Sequence, residues 1–224
     1  MAVILPDYAP LWGHANLQRY YAFNGNSVDD KGSSDGTDAN ITYNAGNGKF
    51  DQGAGFNGSS SKITFANPSV GANFTIMMWV KPAGDLGNTT QALFDTYPSG
   101  LGSLRVYGSG DGRLRYEMGG EGARYSSSIG DWTGIYHHVA LVQSGSTTRR
   151  IIIDGVDSGS HTEGAGTSTT LVVGNLNAGQ WFSGAMDEMA IFNTNISAAD
   201  ILAYYNFVQS GGSPMLFGGG VTIG

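Results

Sequence analysis

Acidic side chains crowd one short stretch near the N-terminus, DDKGSSDGTD at residues 29–38. It holds Asp29, Asp30, Asp35 and Asp38. Carboxylate and loop carbonyl oxygens are the ligands that calcium prefers. The same residues also shape turns, because an Asp side chain accepts hydrogen bonds from nearby backbone N–H groups. The stretch therefore predicts either a calcium-binding loop or a set of Asx turns, and both interpretations remain open at this point.

A second acidic pair, Asp187 and Glu188, lies in the apolar stretch GAMDEMAIF. Glycoside hydrolysis needs two carboxyl groups that flank one glycosidic bond. Adjacent side chains on a strand point to opposite faces, so these two carboxylates should not share a substrate. His137 and His138 are opposed for the same reason, and no set of three or four convergent zinc ligands is apparent. We therefore expect a non-catalytic protein, with a glycoside hydrolase or lyase as the least favoured alternative.

Aromatic residues in predicted loops are candidates for sugar binding, because a ring presents an apolar face on which a sugar can stack. Trp181 in NAGQWFSG is the strongest candidate, followed by Tyr97 and Tyr125. Trp79 lies in a nearly all-apolar stretch, and Trp132 lies shortly before a predicted strand. These two tryptophans are expected to pack in the core.

The bulk composition excludes several classes of protein. The 224 residues include 36 glycines and no cysteine, and only 13% of them are charged. The net charge of −7 argues against nucleic-acid binding, which needs clustered Lys and Arg. No apolar run approaches the 18 residues of a membrane span. The N-terminal residues contain no basic region followed by an apolar run, so no signal peptide is predicted.

Short apolar segments recur about every ten residues between glycine-rich turns, a pattern typical of β-sandwiches and barrels. Asp154-Gly155 predicts a type I′ hairpin turn. Ser197 with Asp200 three residues later predicts the N-terminus of one helix, over 198–207. The predicted strands are Leu17–Phe23, Lys62–Ala66, Phe74–Pro82, Ala92–Tyr97, Ser103–Tyr107, Arg113–Met118, Ile135–Gln143, Arg149–Asp154, Leu171–Gly174 and Ala185–Asn193.

Several of these segments, in this order, resemble the laminin-G-like jelly-roll domains of the concanavalin A-like lectin/glucanase superfamily. The matching stretches include GAGFNGSSSKITF at 53–65, FTIMMWVKP at 74–82 and IYHHVALVQ at 135–143. The stretch FSGAMDEMAIFNTNISAADILAYYN at 182–206 is the most specific of them. The resemblance implies an all-β fold, a two-sheet antiparallel jelly-roll β-sandwich with one short C-terminal helix. It also implies a sugar- or protein-binding module, often with one calcium ion.

In the family that the chain resembles, the early Asp-Gly loop and the D-E strand meet at the calcium ion. Carried over to this sequence, that places the predicted metal ligands at Asp30, Asp35 and Asp187. Calcium is therefore the one cofactor that the sequence suggests.

The glycine-rich C-terminal stretch SGGSPMLFGGGVTIG is unusual because it carries five large apolar residues: Met215, Leu216, Phe217, Val221 and Ile223. We expect an N-terminal lead-in over 1–16, the jelly-roll domain over 17–209 and a C-terminal arm over 210–224. The arm is predicted to contact capsid, tail or other surface-assembly subunits, or a second copy of the chain. The leading hypothesis is thus a structural and binding module on a virion surface, which also binds glycans. A lectin-like module of a bacterial surface or a polysaccharide-degrading system is the alternative.

Overall fold

The structure is a computed structural model of the 224-residue chain. It describes residues 11, 13–32, 34–66, 71–84, 90–95, 103–106, 112–117, 124–128, 130–145, 147–162, 170–176 and 179–213. The predicted arm residues Met215, Leu216, Phe217, Val221 and Ile223 lie outside these ranges, as does most of the predicted lead-in. The predicted division into lead-in, domain and arm therefore stays a prediction.

Short antiparallel strands make up nearly all of the described structure. A 3₁₀ turn, η1 (Ala45–Asn47), follows the third strand, and one helix, α1 (Ala198–Gln209), follows the last. The strands are β1 (Leu17–Tyr21), β2 (Thr37–Ala39), β3 (Thr42–Asn44), β4 (Gly53–Asn57), β5 (Lys62–Ala66), β6 (Phe74–Pro82), β7 (Gln91–Asp95), β8 (Ser103–Val106), β9 (Leu114–Glu117), β10 (Arg124–Tyr125), β11 (His137–Ser144), β12 (Thr148–Ile153), β13 (Val156–Thr162), β14 (Thr170–Val173), β15 (Asn175–Leu176), β16 (Gln180–Trp181) and β17 (Ser183–Phe192).

Two large sheets form the sandwich. The first has the order β13-β12-β11-β6-β17-β4-β3, and β1 pairs with the C-terminal half of β17. The second has the order β10-β9-β8-β7-β14-β5-β2. Strands β15 and β16 form a small separate hairpin. The all-β jelly-roll sandwich with one short C-terminal helix is thereby confirmed.

The main core lies between the two sheets, because the inward-facing side chains of both are large and apolar. Ile76, Met78 and Val80 of the first sheet belong to the same buried cluster as Ile63 and Phe65 of the second. Both faces of β6 are buried, which explains why its sequence shows no alternation of apolar and polar residues.

A second apolar layer lies on the outer face of the first sheet, where α1 packs. Trp79 and Met77 of β6 are buried there with Ile201, Tyr204 and Val208 of the helix. The helix begins at the predicted position, since the Ser197 hydroxyl accepts a hydrogen bond from the Asp200 N–H at 3.1 Å. The helix is too short and insufficiently apolar to cross a membrane, and it is the only α-helix in the described ranges.

The predicted hairpin turn between β12 and β13 is present, and it also supports the helix. Asp154 and Gly155 both have positive φ, at 51° and 76°, as a type I′ turn requires. A Cβ placed on Gly155 would lie 2.6 Å from Leu202 Cδ1 and 3.0 Å from Leu202 Cα of α1. Gly155 is therefore needed both for its conformation and for the close approach of the helix.

We expect Gly155→Ala to lower the free energy of unfolding by about 2 kcal/mol or more, measured by urea denaturation. Gly145→Ala is a matched control, because Gly145 has a φ of 64° and no atom lies within 4 Å of its added Cβ. Gly145→Ala introduces the same backbone strain but no collision with α1, so its free energy of unfolding should fall by only about 1 kcal/mol. If both variants lose the same free energy of unfolding, the close contact between the hairpin turn and α1 does not contribute to the effect.

Candidate functional site

One row of side chains crosses four strands on the outer face of the first sheet. Thr42 pairs with Gly55, Gly55 with Ala185, and Ala185 with Lys81. Directly paired residues of an antiparallel sheet share a face. The neighbouring residues Ala54, Met186 and Val80 point into the core, so the row faces outward.

The row forms part of an open groove of about 520 Å³. Its smallest lining residues are Gly55, Gly184 and Ala185, and its polar side chains come from asparagines, Thr42 and Lys81. Its full lining among the described residues is Asn40, Thr42, Asn44, Asn47, Gly55, Phe56, Asn57, Lys81, Pro82, Ala83, Gly134, Gly184 and Ala185. We call this feature the amide groove, because four asparagines line it. Its volume lies within the range of small-molecule sites.

The segment 45–50, which includes η1, supplies Asn47 to the groove and is anchored from three directions. The Asp187 carboxylate accepts hydrogen bonds from the Lys49 and Phe50 N–H groups at 2.8 and 2.9 Å. The Lys81 ammonium donates to Gly46 O at 2.7 Å, and the Tyr136 hydroxyl donates to Asn47 O. The groove is thus held in shape by side chains from β6, β17 and the segment before β11.

Glycines in β4 allow this segment to lie directly on the sheet. A Cβ on Gly55 would fall 2.2 Å from Asn47 Nδ2, and one on Gly53 would fall 1.9 Å from Asn47 O. Within the space that these glycines leave, Asn47 Nδ2 donates to Thr42 O at 3.3 Å. Asn44 Oδ1 accepts from the Asn47 N–H at 3.1 Å and so caps η1. The amide oxygen of Asn47 and the amide nitrogen of Asn44 have no hydrogen-bond partner among the described residues, which leaves them free for a ligand.

Asp187 is fully buried beneath this segment. Burial raises the pKa of its carboxyl to about 7, although the N–H groups of Phe50, Lys49 and Glu188 act in the opposite direction. Both carboxylate oxygens of Asp187 are hydrogen-bonded. Its Oδ2 accepts from the Lys49 and Phe50 N–H groups, and its Oδ1 accepts from the Glu188 N–H at 3.0 Å. Asp187 therefore acts as an anchor for the segment 45–50.

The neighbouring carboxyl, Glu188, occupies a different environment. A bulge interrupts β17 between Asp187 and Ala190, and Glu188 has a φ of 54° there. The strict alternation from which opposite faces were predicted does not hold at this bulge. Both Glu188 oxygens are buried without a hydrogen-bond partner among the described residues. Burial raises the pKa of Glu188 to about 8, and burial followed by the Glu188 charge raises the pKa of the Tyr204 phenol in α1.

The two histidines are separated, as predicted. The His138 ring is buried between Trp79 and Tyr204, with ring centroids 5.2 and 5.1 Å away, and burial lowers its pKa to about 4. The His137 ring packs on Trp132 and its Nδ1 lies 2.7 Å from an Asp154 carboxylate oxygen. The side chain of His137 is also largely buried, at 12% exposed.

The structure places two of the predicted calcium ligands, Asp30 and Asp35, in one loop and the third, Asp187, beneath the segment 45–50. Asp30 and Asp35 are exposed in the N-terminal loop, where Asp35 accepts a hydrogen bond from the Asp29 N–H and Asp30 one from the Ala22 N–H. Asp187 is anchored to the segment 45–50 instead. Over the described ranges, no three Asp, Glu or His side chains converge on a point suited to a metal ion. The carboxylates of Asp30, Asp35 and Asp187 accept hydrogen bonds from backbone N–H groups, an arrangement that does not fit a shared calcium site. Calcium binding therefore stays a prediction.

The Asx-turn interpretation of the acidic loop has direct support from Asp29, which is buried. Its carboxylate accepts from the backbone N–H groups of Tyr20, Lys31 and Ser34 at 3.1 to 3.3 Å. It also pairs with the Arg19 guanidinium at 3.3 Å. The acidic stretch therefore fixes the loop to β1.

Of the predicted aromatic sugar platforms, only Trp181 has a described side chain. It is half-buried in the β15–β16 hairpin and does not line the amide groove. Tyr97 lies outside the described residues, and for Tyr125 only the backbone, in β10, is described. Trp79 and Trp132 are buried, as the sequence indicated.

The groove residues themselves were not predicted as a site. Their most visible signal is the pair of alternate glycines in GAGFN, since a glycine inside a strand often marks close approach of other backbone. The asparagines give no local signal in a chain so rich in Asn, Ser and Thr.

Comparison with known families agrees with this architecture. A laminin G model, described as Concanavalin A-like lectin/glucanases superfamily, matches residues 57–202, well over half of the chain. The chain belongs to this superfamily. The matched region runs from the end of β4 into α1 and so includes Lys81, Ala185 and the D-E strand.

Solved structures of similar fold include a domain of an arabinanase and the binding domains of botulinum neurotoxins. Domain 4 of AbnA, a GH43 extracellular arabinanase from Geobacillus stearothermophilus solved with arabinotriose, has a TM-score of 0.69 and 22% identity. The match covers 85% of this chain and 98% of that domain. At this identity the likeness establishes the fold.

The receptor-binding domain of botulinum neurotoxin type G has a TM-score of 0.68 and 14% identity, over 87% of this chain and 52% of that one. The botulinum neurotoxin serotype D binding domain has a TM-score of 0.65 and 15% identity, over 85% and 50%. This chain thus spans about half the length of the neurotoxin binding domains. Comparison with curated protein sequences gives no match.

Proposed function

We propose that the protein is a non-catalytic carbohydrate-binding module and that its ligand lies in the amide groove. The observation that supports this most directly is the presence in one groove of small residues and of two amide groups without a hydrogen-bond partner among the described residues, the Asn47 oxygen and the Asn44 nitrogen. Sugar hydroxyls both donate and accept hydrogen bonds, and an asparagine amide can do the same through its NH₂ group and its oxygen. Ala185 adds only a methyl group to the lining, which leaves room for a sugar ring beside the Asn47 side chain that covers Gly55.

Two observations favour binding over catalysis. The lining of the groove, within the described residues, contains no Asp or Glu that could act as acid, base or nucleophile. The adjacent carboxyls of β17 are buried, Asp187 against backbone N–H groups and Glu188 near Tyr204. We therefore propose that the protein leaves bound polysaccharides intact.

The Ala83→Trp variant tests the location of the site. Ala83 is exposed at the groove and its N–H still donates to Ser183 O after the change, so the indole should obstruct the groove without disturbing the sheet. On a glycan array followed by calorimetric titration, we expect this variant to lose at least about tenfold in affinity for the glycan that the parent chain binds best.

Ala199→Trp is the matched control, because Ala199 is exposed on α1 and outside the groove. It should bind as the parent chain does. Trp181→Ala tests the aromatic platform suggested by the sequence. If Trp181→Ala abolished binding while Ala83→Trp had no effect, the ligand would have to be placed at the β15–β16 hairpin instead of the groove.

The virion-surface setting is retained as a proposal about where such a module would be displayed, with a bacterial cell surface as the alternative. Truncation after Gly211 removes the proposed arm, including Met215 and Phe217. Electron microscopy of the native assembly would reveal its subunits. Unchanged assembly by the truncated chain would reject the arm.

A further inference from the structure

The amide groove has an asymmetric charge. Lys81 is the one ionisable side chain in its lining, within the part of the chain that the structure describes. This is unusual for a protein in which acidic residues outnumber Lys and Arg by 18 to 11. Lys81 is therefore the only charged side chain that the described lining offers to a ligand, and its charge is opposite in sign to the net charge of the molecule.

Lys81 is held in place by uncharged groups. Its ammonium donates to Gly46 O at 2.7 Å and lies 4.8 Å from the centroid of the Tyr136 ring. No carboxylate pairs with it within 4 Å among the described residues, whereas Arg19, Arg105, Arg115 and Arg150 all have such partners. An ammonium carries three N–H donors. One is used by Gly46, so up to two remain for a ligand.

From this geometry we infer that the groove selects sugars that bear an anionic substituent, with Lys81 as the residue that sets this specificity. The inference rests on the proposed function, since it names the class of glycan that the same groove would take. A carboxylate or sulfate on the sugar would accept charge-assisted hydrogen bonds from the free Lys81 donors, while hydroxyls of the ring meet Asn44, Asn47 and Thr42. Such bonds are stronger than those between neutral partners.

The test compares glycans that differ only in charge. Oligogalacturonides are titrated against their methyl esters, and a sulfated oligosaccharide against its desulfated form, by calorimetry in 50 mM NaCl. We expect the parent chain to bind an acidic form about tenfold more tightly than its neutral counterpart. The preference should shrink in 500 mM NaCl because the Debye length falls. The pair with the larger ratio identifies carboxylate or sulfate as the favoured anion.

Three variants assign the preference to Lys81. Lys81→Gln keeps a donor for Gly46 O but removes the charge, and should bind acidic and neutral forms within about twofold of each other. Lys81→Arg keeps the charge and should retain the preference. Lys62→Gln, a half-buried lysine of β5 in the other sheet, is the matched control and should behave as the parent chain.

The failures are distinguishable. If the parent chain binds no glycan of either kind, the proposed function itself is rejected. If it binds acidic and neutral forms equally, or if the preference survives in Lys81→Gln, the specificity inference is overturned and the carbohydrate-binding proposal stands.

Discussion

The Glu188→Gln variant is expected to be more stable than the parent chain by about 3 to 5 kcal/mol at pH 9, and to differ from it by about 1 kcal/mol or less at pH 5. Glu188 is only 2% exposed and neither carboxylate oxygen has a hydrogen-bond partner among the described residues. An ionised carboxylate in such a place is poorly solvated, and burial raises its pKa to about 8.

The sign of the effect follows from the two states. In the unfolded chain Glu188 ionises near 4.5, whereas in the folded protein it keeps its proton until about pH 8. The stabilising contribution of the protonated side chain is fully present below pH 4.5 and is lost as pH rises through 8. Glutamine cannot ionise, so the variant should not lose this contribution.

Urea denaturation of both proteins at pH 5, 7 and 9, in buffer with EDTA, measures the difference. Asp131→Asn removes an exposed carboxylate that accepts a hydrogen bond from the Thr133 N–H, and it should follow the pH dependence of the parent chain. Parallel pH profiles for Glu188→Gln and the parent chain would mean that Glu188 remains solvated or paired at every pH.

The buried glutamate also illustrates the limits of sequence patterns. The apolar stretch GAMDEMAIF correctly indicated a strand, and β17 spans it. Strict alternation along that strand predicted opposite faces for Asp187 and Glu188, but the bulge before Ala190 breaks the alternation. A bulge inserts residues according to the pairing with neighbouring strands, and this information is not local to β17.

The elements predicted well are those whose own residues determine them. Strand β6 has the bounds predicted from FTIMMWVKP. A strand with so many consecutive apolar residues must bury both of its faces, so its extent can be recognised from its own sequence. The Asp154-Gly155 turn and the Ser197 cap were likewise determined by local chemistry. The helix continues two residues past the predicted end at Phe207, to Gln209.

Strands β2, β3 and β13 were not predicted, because they are polar and largely exposed. Their residues form backbone ladders with β5, β4 and β12 but bury little apolar surface, so they show no apolar alternation. The amide groove was missed for a related reason. Thr42, Gly55, Ala185 and Lys81 are far apart in sequence and become neighbours only through the register of four strands.

The Trp79→Ala variant is expected to lose about 3 to 5 kcal/mol of stability, the usual cost of removing a fully buried tryptophan. Trp79 is 0% exposed and joins the outer face of the first sheet to α1. Its indole N–H donates to the Tyr204 hydroxyl at 3.3 Å, and its ring stacks 5.9 Å from that of Tyr205. The Lys49 ammonium lies 4.5 Å from the ring centroid, which links the same tryptophan to the segment that walls the groove.

The loss should appear in thermal unfolding followed by circular dichroism as a fall in Tm of roughly 10 °C. Hydrogen exchange should increase first in α1 and in residues 45–50, because both pack against the missing ring. Trp181→Ala removes an aromatic of equal size from a half-buried site and should cost less than about 1.5 kcal/mol. Similar losses in the two variants, or exchange that rises evenly over both sheets, would contradict the placement of Trp79 between the helix and the groove. If the increase in hydrogen exchange is confined to α1 and residues 45–50, the stability of the outer apolar layer and the shape of the binding site both depend on Trp79.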